Sequence, residues 1–421
     1  MNTHIPRRLP SPRDFSHDAR QLIIVTGLIS ASYFGAFALL RGLFLLRLGY
    51  DTAYLGTYYA AGALTFMMMG VPSGALGQRF GTRATMLAGG CLTIGGMFLL
   101  PVTARIPVAV RDLWPPLTQL VTVAGWSMLS VNSVPALMLV TTDENRTAAY
   151  ALTGVLRGIG SFTGTLIGGL LPGLVARVMT QHAPSPIGPQ SASPYAWALF
   201  ISAISGLASI IPLVRIRGGL RPAQTDTQPV DRGPFPAALV IALIVYVFLR
   251  HMGWTTSQAY SGPYMDTDLH LSTPTIGLLT SIGQIAAIGA TLLLPRMTER
   301  WSHGRIVALS TTLQIASLAL MASFRHWSAA GLGLLGIQVS AGIWLPELQI
   351  FQMELVDKQW RGLAYGAIAM AMGLGFGSMS ILGGRLITAR GYSELFMIGA
   401  LFSAVASGLM MWISRRTRVK E

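Results

Sequence analysis

The chain has 421 residues, of which 52% are hydrophobic and only 11% are charged, whereas a typical soluble domain carries about 25% charged residues. With a mean hydropathy of +0.54, this composition excludes a soluble multidomain enzyme and a largely disordered chain. The net charge of +14 would indicate nucleic-acid binding in a soluble protein, but basic loops on one side of a membrane produce the same excess. A single cysteine, Cys91, excludes an internal disulfide and a cysteine-based metal cluster.

Twelve stretches are long and apolar enough to cross a bilayer, which takes about 20 residues of helix. Because backbone groups in lipid must be satisfied within the segment, we expect helices, and the chain is predicted to be an all-α membrane protein. Asn132 and Pro135 interrupt the fourth stretch, and Arg250 and His251 lie in the seventh. The predicted spans are 22–45, 53–75, 83–103, 115–140, 149–175, 195–214, 235–259, 274–294, 304–324, 327–350, 362–388 and 393–414.

The lysines and arginines are distributed unevenly between the two sides of this topology. Most of the 30 fall in segments on the same side as the N-terminus, and three lie inside spans, namely Arg41, Arg157 and Arg250. Cytoplasmic loops carry the excess of basic residues, so both termini are expected in the cytoplasm. The basic loops also explain the net charge without a nucleic-acid partner.

A polar stretch rich in Pro, Gly and Arg, residues 215–234, divides the spans six and six. The predicted organisation is a cytoplasmic N-terminal segment, a six-helix bundle, a cytoplasmic linker, a second six-helix bundle and a cytoplasmic tail, covering residues 1–21, 22–214, 215–234, 235–414 and 415–421. The halves echo each other in the loops after spans two and eight, which share an arginine, an aromatic residue, a glycine and a second arginine. Such duplication is typical of secondary transporters.

The loop after span two resembles the most specific motif of the major facilitator superfamily. The family pattern is Gly-x-Leu-x-Asp-Arg-x-Gly-Arg-Arg/Lys, and this chain departs from it at Gln78 and Thr82 while matching it at Gly74, Leu76, Arg79, Gly81 and Arg83. We expect Gly74 to let span two approach a neighbour and Gly81 to allow a tight turn. In the family the acid belongs to an ionic latch, which Gln78 cannot form, whereas Glu299, beside Arg300, supplies an acid in the second half.

The resemblance implies two six-helix bundles related by a pseudo-two-fold axis, with a central cavity lined mainly by spans one, four, seven and ten. It also implies alternating access and proton-coupled movement of a small solute, without a cofactor or metal. We therefore expect a monomer in a cell membrane, the inner membrane of a bacterium, with a small-molecule substrate, the lipid bilayer and H⁺ as its partners. No nucleic acid and no enzymatic activity are expected.

Polar and aromatic residues on the four cavity spans are candidates for substrate binding. Ionisable side chains inside a span usually face the protein interior or a cavity. Arginine presents a fork suited to carboxylate or phosphate, so the substrate is predicted to be anionic or amphipathic. The candidates are Tyr33, Arg41, Asn132, Tyr246, Arg250, Trp254, Gln258 and Trp344.

Glu347 on span ten and His251 on span seven are candidates for proton coupling, because acids and histidines inside spans form proton relays. An ion pair between Glu347 and Arg250 is the structural alternative. On span five, Gly160, Gly164, Gly168 and Gly169 fit either a motif of superfamily antiporters or close packing of small residues between helices.

The absence of a P-loop means that ATP does not drive this chain directly, which indicates an ion gradient or a solute gradient. A proton-coupled secondary transporter is the leading hypothesis. The alternatives are a facilitative uniporter, a multidrug exporter, and a membrane assembly or lipid-handling factor that transports nothing.

Overall fold

The computed structural model describes residues 15–182, 191–217, 237–356 and 360–418. The regular structure in these ranges is helical, and twelve helices are long and apolar enough to span a membrane, which confirms the predicted fold class. The chain is thus a multi-pass membrane protein. In chain order the spans are His17–Arg47, Thr52–Phe80, Thr82–Arg105, Val108–Val140, Ala148–Gln181, Ala192–Arg215, Ala237–Thr267, Thr273–Thr298, His303–Ser323, Trp327–Leu355, Leu363–Arg390 and Tyr392–Arg416.

Short polar side chains fix where several spans begin. Asp51 precedes span two and accepts a hydrogen bond from the backbone N–H of Tyr54 at 2.8 Å. Ser272 precedes span eight and accepts from the N–H of Thr275 at 3.4 Å. These caps satisfy amide groups that have no partner inside the helix, so the spans start where the sequence offers a capping residue.

Span one contains a π-helical segment, Ser30–Phe37, between two α-helical segments. Such segments are rare, short and frequent at functional sites. Here the segment meets span five so closely that a Cβ on Gly35 would lie 2.6 Å from the Cα of Gly164. The wider π turn and the glycine contact together set the position of span one beside the centre of the molecule.

The observed helices extend beyond several predicted boundaries. Span five belongs to a helix from Asp143 to His182, and the last helix continues to Arg418 rather than ending at 414. Charged residues can continue a helix past the hydrocarbon, because their side chains reach the headgroup region. Most of the predicted linker and the first 14 residues lie outside the described ranges, so the division into domains stays a prediction.

The two halves pack through spans two and eleven and through spans five and eight. We call the side where span one ends the Arg47 end, and the side where span three begins the Arg83 end. Glycines allow the closest contacts near the Arg47 end: a Cβ on Gly384 would collide with the backbone of Thr52, and one on Gly169 would lie 3.0 Å from the Cα of Gly277. Small residues at such positions let helices approach to backbone contact.

Candidate functional site

An ion pair joins the halves at the Arg47 end. Arg47 of span one donates two hydrogen bonds to the carboxylate of Asp266 on span seven, at 2.6 and 2.7 Å. The two side chains are only 12% and 3% exposed. Short, bidentate contacts between charged groups are among the strongest hydrogen bonds in proteins, so this pair holds spans one and seven together.

The other described hydrogen bonds between the halves lie at the Arg47 end or near the middle of the spans. Tyr195 contacts Thr273 at 2.6 Å, and Gln284 donates to Thr165 at 3.1 Å. The molecule is therefore in a conformation closed at the Arg47 end.

A polar cavity of about 80 Å³ lies between the halves, below the closed end. Spans one, two, five, seven, eight and ten contribute to its wall. Three glutamines from the second half line it, namely Gln258, Gln284 and Gln338, together with Tyr59 and Thr165 from the first. Each glutamine offers two donors and an acceptor, so the wall of the cavity can form hydrogen bonds with polar groups.

Arg41 does not itself line this cavity, but it adjoins the wall residue Gly42 in the chain and its guanidinium lies over a second wall residue, Tyr59. Its guanidinium carbon is 5.2 Å from the ring centre of Tyr59, and the hydroxyl groups of Tyr33 and Tyr58 also interact with its charge. No described carboxylate pairs with it, and its Nε has no hydrogen-bond partner among the described residues. Arg41 is thus a partly exposed cation with unused donor capacity beside a polar cavity.

Tyr33 packs in an aromatic group that joins span one to span four. Its ring is 5.6 Å from that of Trp126, which in turn lies 4.8 Å from the ring of Phe34. Phe34 lines the cavity. The group supplies an apolar surface near Arg41.

Arg250 is placed differently from the predicted cavity position. It is 1% exposed, donates to the hydroxyl of Ser340 at 2.9 Å and lies 3.9 Å from the ring centre of Trp344. Trp344 donates to Tyr246, which is fully buried and bonded to Thr311. The prediction that Arg250, Tyr246 and Trp344 line the cavity does not agree with this conformation, because all three are enclosed within the second bundle.

The predicted alternative, an ion pair between Arg250 and Glu347, is also absent from the described contacts. Glu347 accepts instead from His303 of span nine, with 2.7 Å between Nδ1 and Oε2. The second ring nitrogen of His303 is 3.6 Å from Oε1 of Glu354. Arg250 is stabilised by its hydrogen bond to Ser340 and by the face of Trp344 rather than by a carboxylate.

His251 and Trp254 lie together on span seven, both partly exposed. The His251 ring is 5.2 Å from Trp254 and 5.4 Å from Trp344, and a Cβ on Gly375 would lie 3.0 Å from the Cβ of His251. His251 therefore packs between spans seven, ten and eleven. Its Nδ1 and the Nε1 of Trp254 have no partner among the described residues.

Asn132 lies between spans two and four rather than on the cavity wall. It is buried, and its amide donates to the carbonyl oxygens of Ser73 and Met128, both at 2.9 Å. A Cβ on Gly77 would collide with this amide, whereas one on Gly74 would meet only Val131 at 3.9 Å. The close approach predicted for Gly74 thus occurs at Gly77, and Asn132 is a packing residue.

The loop after span two has the predicted turn. Gly81 has φ +87°, a conformation that favours glycine, between the end of span two and the start of span three. Arg83 donates to the carbonyl of Val214 at 2.8 Å, which holds the loop against the end of span six. Gln78 and Arg79 are exposed, and Leu76 is half-buried.

The corresponding loop in the second half is built differently. Glu299 and Arg300 are exposed, and no ion pair of Glu299 occurs among the described residues. Gly304 is helical and packs against Ser414, so it is not the counterpart of the Gly81 turn. The ionic latch assigned to Glu299 stays a prediction.

The glycines of span five face two neighbouring helices. A Cβ on Gly160 would collide with the backbone of Gly27, one on Gly164 with that of Ala31, and Gly169 meets span eight. These contacts agree with close helix packing, the second of the two interpretations of this sequence.

Residues 243–421 match the family model described as Major Facilitator Superfamily. A mutant form of the nucleoside transporter NupG is 14% identical with a TM-score of 0.75, over 94% of this chain and 99% of that one. The fold is that of the Major Facilitator Superfamily. A bacterial homologue of the human lysosomal transporter Spinster, in an inward-facing and occupied conformation, is 12% identical with a TM-score of 0.71. The similarity covers 96% of this chain and 98% of that one. Inward-open XylE, the xylose transporter of E. coli, is 14% identical with a TM-score of 0.71, over 93% of this chain and 95% of that one.

The family model matches the second half of the chain, and the similarity to the solved structures covers both halves, so the fold implied by the resemblance is confirmed. Two functional features escaped the sequence interpretation, the Arg47–Asp266 pair and the contact of His303 with Glu347. The candidates on span seven recur every four residues from Tyr246 to Gln258, and two more steps of four reach Asp266, which was the available signal. For His303 the signal was the seven-residue spacing of Glu347 and Glu354. This spacing places two acids on one face of span ten, where they require a hydrogen-bond donor from a neighbouring helix.

Proposed function

We propose that this protein is a secondary transporter that moves a small solute by alternating access. The observation that carries the proposal is the polar cavity between two six-helix halves, which a buried ion pair closes at the Arg47 end. Sites between the halves near the bilayer midplane are the rule in such folds, and the halves rock around them. The solved structures of similar fold include proteins named as nucleoside and xylose transporters and a D-xylose–proton symporter.

We place the Arg83 end in the cytoplasm, because the basic residues are concentrated in the loops on that side. The described conformation is then inward-facing, with its closed end outside. The proposed location is a bacterial inner membrane, and the proposed functional unit is a monomer.

The orientation can be tested by labelling single cysteines in intact cells. With Cys91 replaced by serine, a cysteine at position 185 is expected to react with an impermeant thiol reagent, because the loop after span five lies outside. A cysteine at position 225 is expected to stay unlabelled until the cells are opened. Both positions lie outside the described residues, so the substitutions disturb none of the contacts above. The reverse pattern would overturn the orientation.

The proposed substrate is anionic or amphipathic, and Arg41 rather than Arg250 is its main cationic contact. Arg41 is partly exposed beside the cavity, whereas Arg250 is enclosed and already bonded to Ser340. A cation in a low-dielectric cavity attracts a carboxylate or phosphate more strongly than one in water. Phe34 and Trp254 offer partly exposed aromatic surface for an apolar part of the substrate.

The proposed coupling ion is H⁺, carried by Glu347. This carboxylate is 1% exposed and has a histidine as its bonded partner rather than a permanent cation. Because the partner of Glu347 is a histidine, protonation of the carboxylate does not leave a buried arginine without a counter-charge. Acids inside spans commonly serve in proton relays.

Glu347→Gln is expected to abolish accumulation of solute driven by a pH gradient while leaving exchange of solute across the membrane intact. Glutamine keeps the shape and an acceptor for His303 but cannot gain or lose a proton. Exchange can proceed without release of the coupling proton. The measurement compares gradient-driven uptake with counterflow in liposomes, and Glu394→Gln, which replaces an exposed acid at the opposite end, is the control. Accumulation that survives Glu347→Gln excludes Glu347 as the coupling site.

The proposal as a whole is tested by reconstituting the purified protein in liposomes and measuring uptake of a solute panel. The panel contains carboxylates, phosphate esters, sugars, nucleosides and hydrophobic cations, each with and without a pH gradient. Uptake that the pH gradient stimulates supports a proton-coupled transporter, and uptake that is independent of the pH gradient supports a uniporter. A panel on which protein-containing and empty liposomes behave alike, although the protein is folded, contradicts the transport function.

A further inference from the structure

Span nine begins with a histidine that lies between two glutamates of span ten. His303 Nδ1 is 2.7 Å from Oε2 of Glu347, and His303 Nε2 is 3.6 Å from Oε1 of Glu354. The side-chain exposures rise along this series, from 2% for Glu347 through 26% for His303 to 59% for Glu354. The three groups therefore connect a buried carboxylate to the surface at the Arg83 end.

The geometry on span ten is that of one helix face. Glu347 and Glu354 are seven residues apart, which is two turns and about 10 Å along the axis. The first residue of span nine fills the space between them, so the two ring nitrogens point to different carboxylates. No group of three or more His, Cys, Asp or Glu side chains among the described residues is arranged to hold a metal ion.

We propose that His303 passes protons between Glu354 at the surface and the buried Glu347. The inference rests on the proposed function, because it gives Glu347 the proton used for coupling. When Glu354 holds a proton and His303 is neutral with its proton on Nδ1, Nε2 accepts the proton of Glu354. The Nδ1–H bond then breaks as its proton moves to the carboxylate of Glu347. Glu354 ends ionised, Glu347 ends neutral, and the imidazole has changed its tautomer, so charge and protons balance.

A purely structural role for His303 accounts for only part of this arrangement. The bond to Glu347 is short, but 3.6 Å is too long for a hydrogen bond to Glu354. Glu354 is exposed, so a change of rotamer or a bridging water can close this gap and open it again. A purely structural contact between His303 and Glu347 does not require Glu354 just outside hydrogen-bonding distance. A proton relay does require a contact that forms and breaks.

Other charged or titratable groups lie on the surrounding helices. Among the described residues none of them forms an ion pair with the three relay groups. On the elements packed against spans nine and ten, and on the ends of these spans, they are Arg250, His251, Arg296, Glu299, Arg300, Arg305, Arg361, Arg415 and Arg416. Seven of these nine residues are arginines.

The test follows protonation of Glu347 directly, with H⁺ as the only probe. Purified protein in nanodiscs is mixed rapidly from high to low pH, and infrared spectroscopy records the carbonyl band of the newly formed carboxylic acid. Loss of one band in Glu347→Gln assigns it. We expect His303→Gln to form the same band but about a hundredfold or more slowly, because glutamine can donate to Glu347 but cannot carry a proton.

Matched variants separate the relay from general effects. Glu354→Gln is expected to slow the band less than His303→Gln, because water at the exposed position replaces part of its function. His326→Gln, a histidine variant at the opposite end, is expected to leave the rate unchanged. Because Glu354 is exposed, its variant can be measured even if His303→Gln fails to fold. A wild-type rate in Glu354→Gln, or in a folded His303→Gln, overturns the relay.

The outcome is distinguishable from that of the proposed function. A slowed band in the variants together with no gradient-driven transport would support the proton path and contradict coupled transport. Gradient-driven transport that requires Glu347 but is unaffected by His303→Gln would support coupling and contradict the relay.

Discussion

Asp266→Asn is expected to open the Arg47 end of the molecule. In the closed conformation the substitution leaves the guanidinium of Arg47, 12% exposed, without its carboxylate. Removing one partner of a buried ion pair costs about 3–5 kcal/mol. When the Arg47 end opens, water reaches Arg47 and the penalty disappears, so the substitution destabilises only the closed form. The ratio of closed to open molecules should fall by about a hundredfold or more.

Spin labels can measure this shift in a protein that keeps its other contacts. With Cys91 replaced by serine, labels at Val108 and Ser323 report the distance between the halves at the Arg47 end, because both positions are exposed there. Labels at Gln78 and Glu299 report the Arg83 end. In Asp266→Asn the first distance distribution should move to longer values and the second to shorter ones.

A second ion pair at the same end supplies the control. Asp268 and Arg325 are 3.8 Å apart, with side chains 26% and 64% exposed, and both belong to the second half. Exposed pairs contribute about 0–1 kcal/mol, so Asp268→Asn should leave both distributions unchanged. The exchange Arg47→Asp with Asp266→Arg should restore part of the closed population. Unchanged distances in a folded Asp266→Asn would show that the pair does not control the closed end.

The number and type of the spans could be predicted from sequence because they depend on local composition. A bilayer requires about 20 apolar residues in a helix wherever the segment sits in the fold, so the prediction needs no tertiary contacts. The turn at Gly81 was predictable for the same reason, since its conformation depends on the residue itself.

The candidate site on span seven was only partly predictable, because a four-residue spacing does not keep to one helix face. Each step of four residues turns the helix by about 40° beyond a full turn. Three steps separate Tyr246 from Gln258, so the two side chains point about 120° apart. Tyr246 and Arg250 consequently lie inside the second bundle, Gln258 lines the cavity, and Asp266 reaches span one.

Contacts between distant segments were beyond the sequence pattern. Whether Glu347 meets Arg250 or His303 depends on how spans seven and nine pack against span ten, and spacing within one helix carries no information on that. The same limit applies to Asn132, whose position in a polar span suggested a cavity although its partner is the backbone of Ser73. The π-helical segment of span one changes the number of residues per turn, so it rotates the side chains on its two sides relative to each other. The periodicity of the sequence does not reveal this rotation.

Arg41→Lys is expected to raise the KM for the best-transported anionic solute while leaving the protein folded. Arg41 has no carboxylate partner to lose among the described residues, and lysine keeps the positive charge beside Tyr33 and Tyr59, so we expect the fold to be retained. A hydrogen bond to a charged group is worth about 1.5–3 kcal/mol, so loss of one bond of the fork corresponds to about 10- to 150-fold in affinity. Arg41→Gln, which also loses the charge, should have the larger effect.

Matched solutes and a matched arginine make this result specific. Each carboxylate in the transport assay is compared with its neutral amide and with the corresponding amine, and only the carboxylate should lose affinity in Arg41→Gln. Arg250→Lys is the contrasting variant, because Arg250 is buried against Trp344 and bonded to Ser340. Lysine keeps the charge there but loses the planar contact, so the expected effect is a lower Tm more than a higher KM.

A different outcome would change the proposed substrate class. If a hydrophobic cation is the best substrate and Arg41→Gln leaves its transport unchanged, the anion hypothesis is wrong and the protein groups with multidrug exporters. The arrangement around Arg41 argues against that result. A cation entering the cavity would approach an arginine that no described carboxylate neutralises, in surroundings where like charges repel strongly. A carboxylate in the same place gains the unused donors of Arg41, while its other polar groups reach Gln258 and Gln338 on the opposite wall.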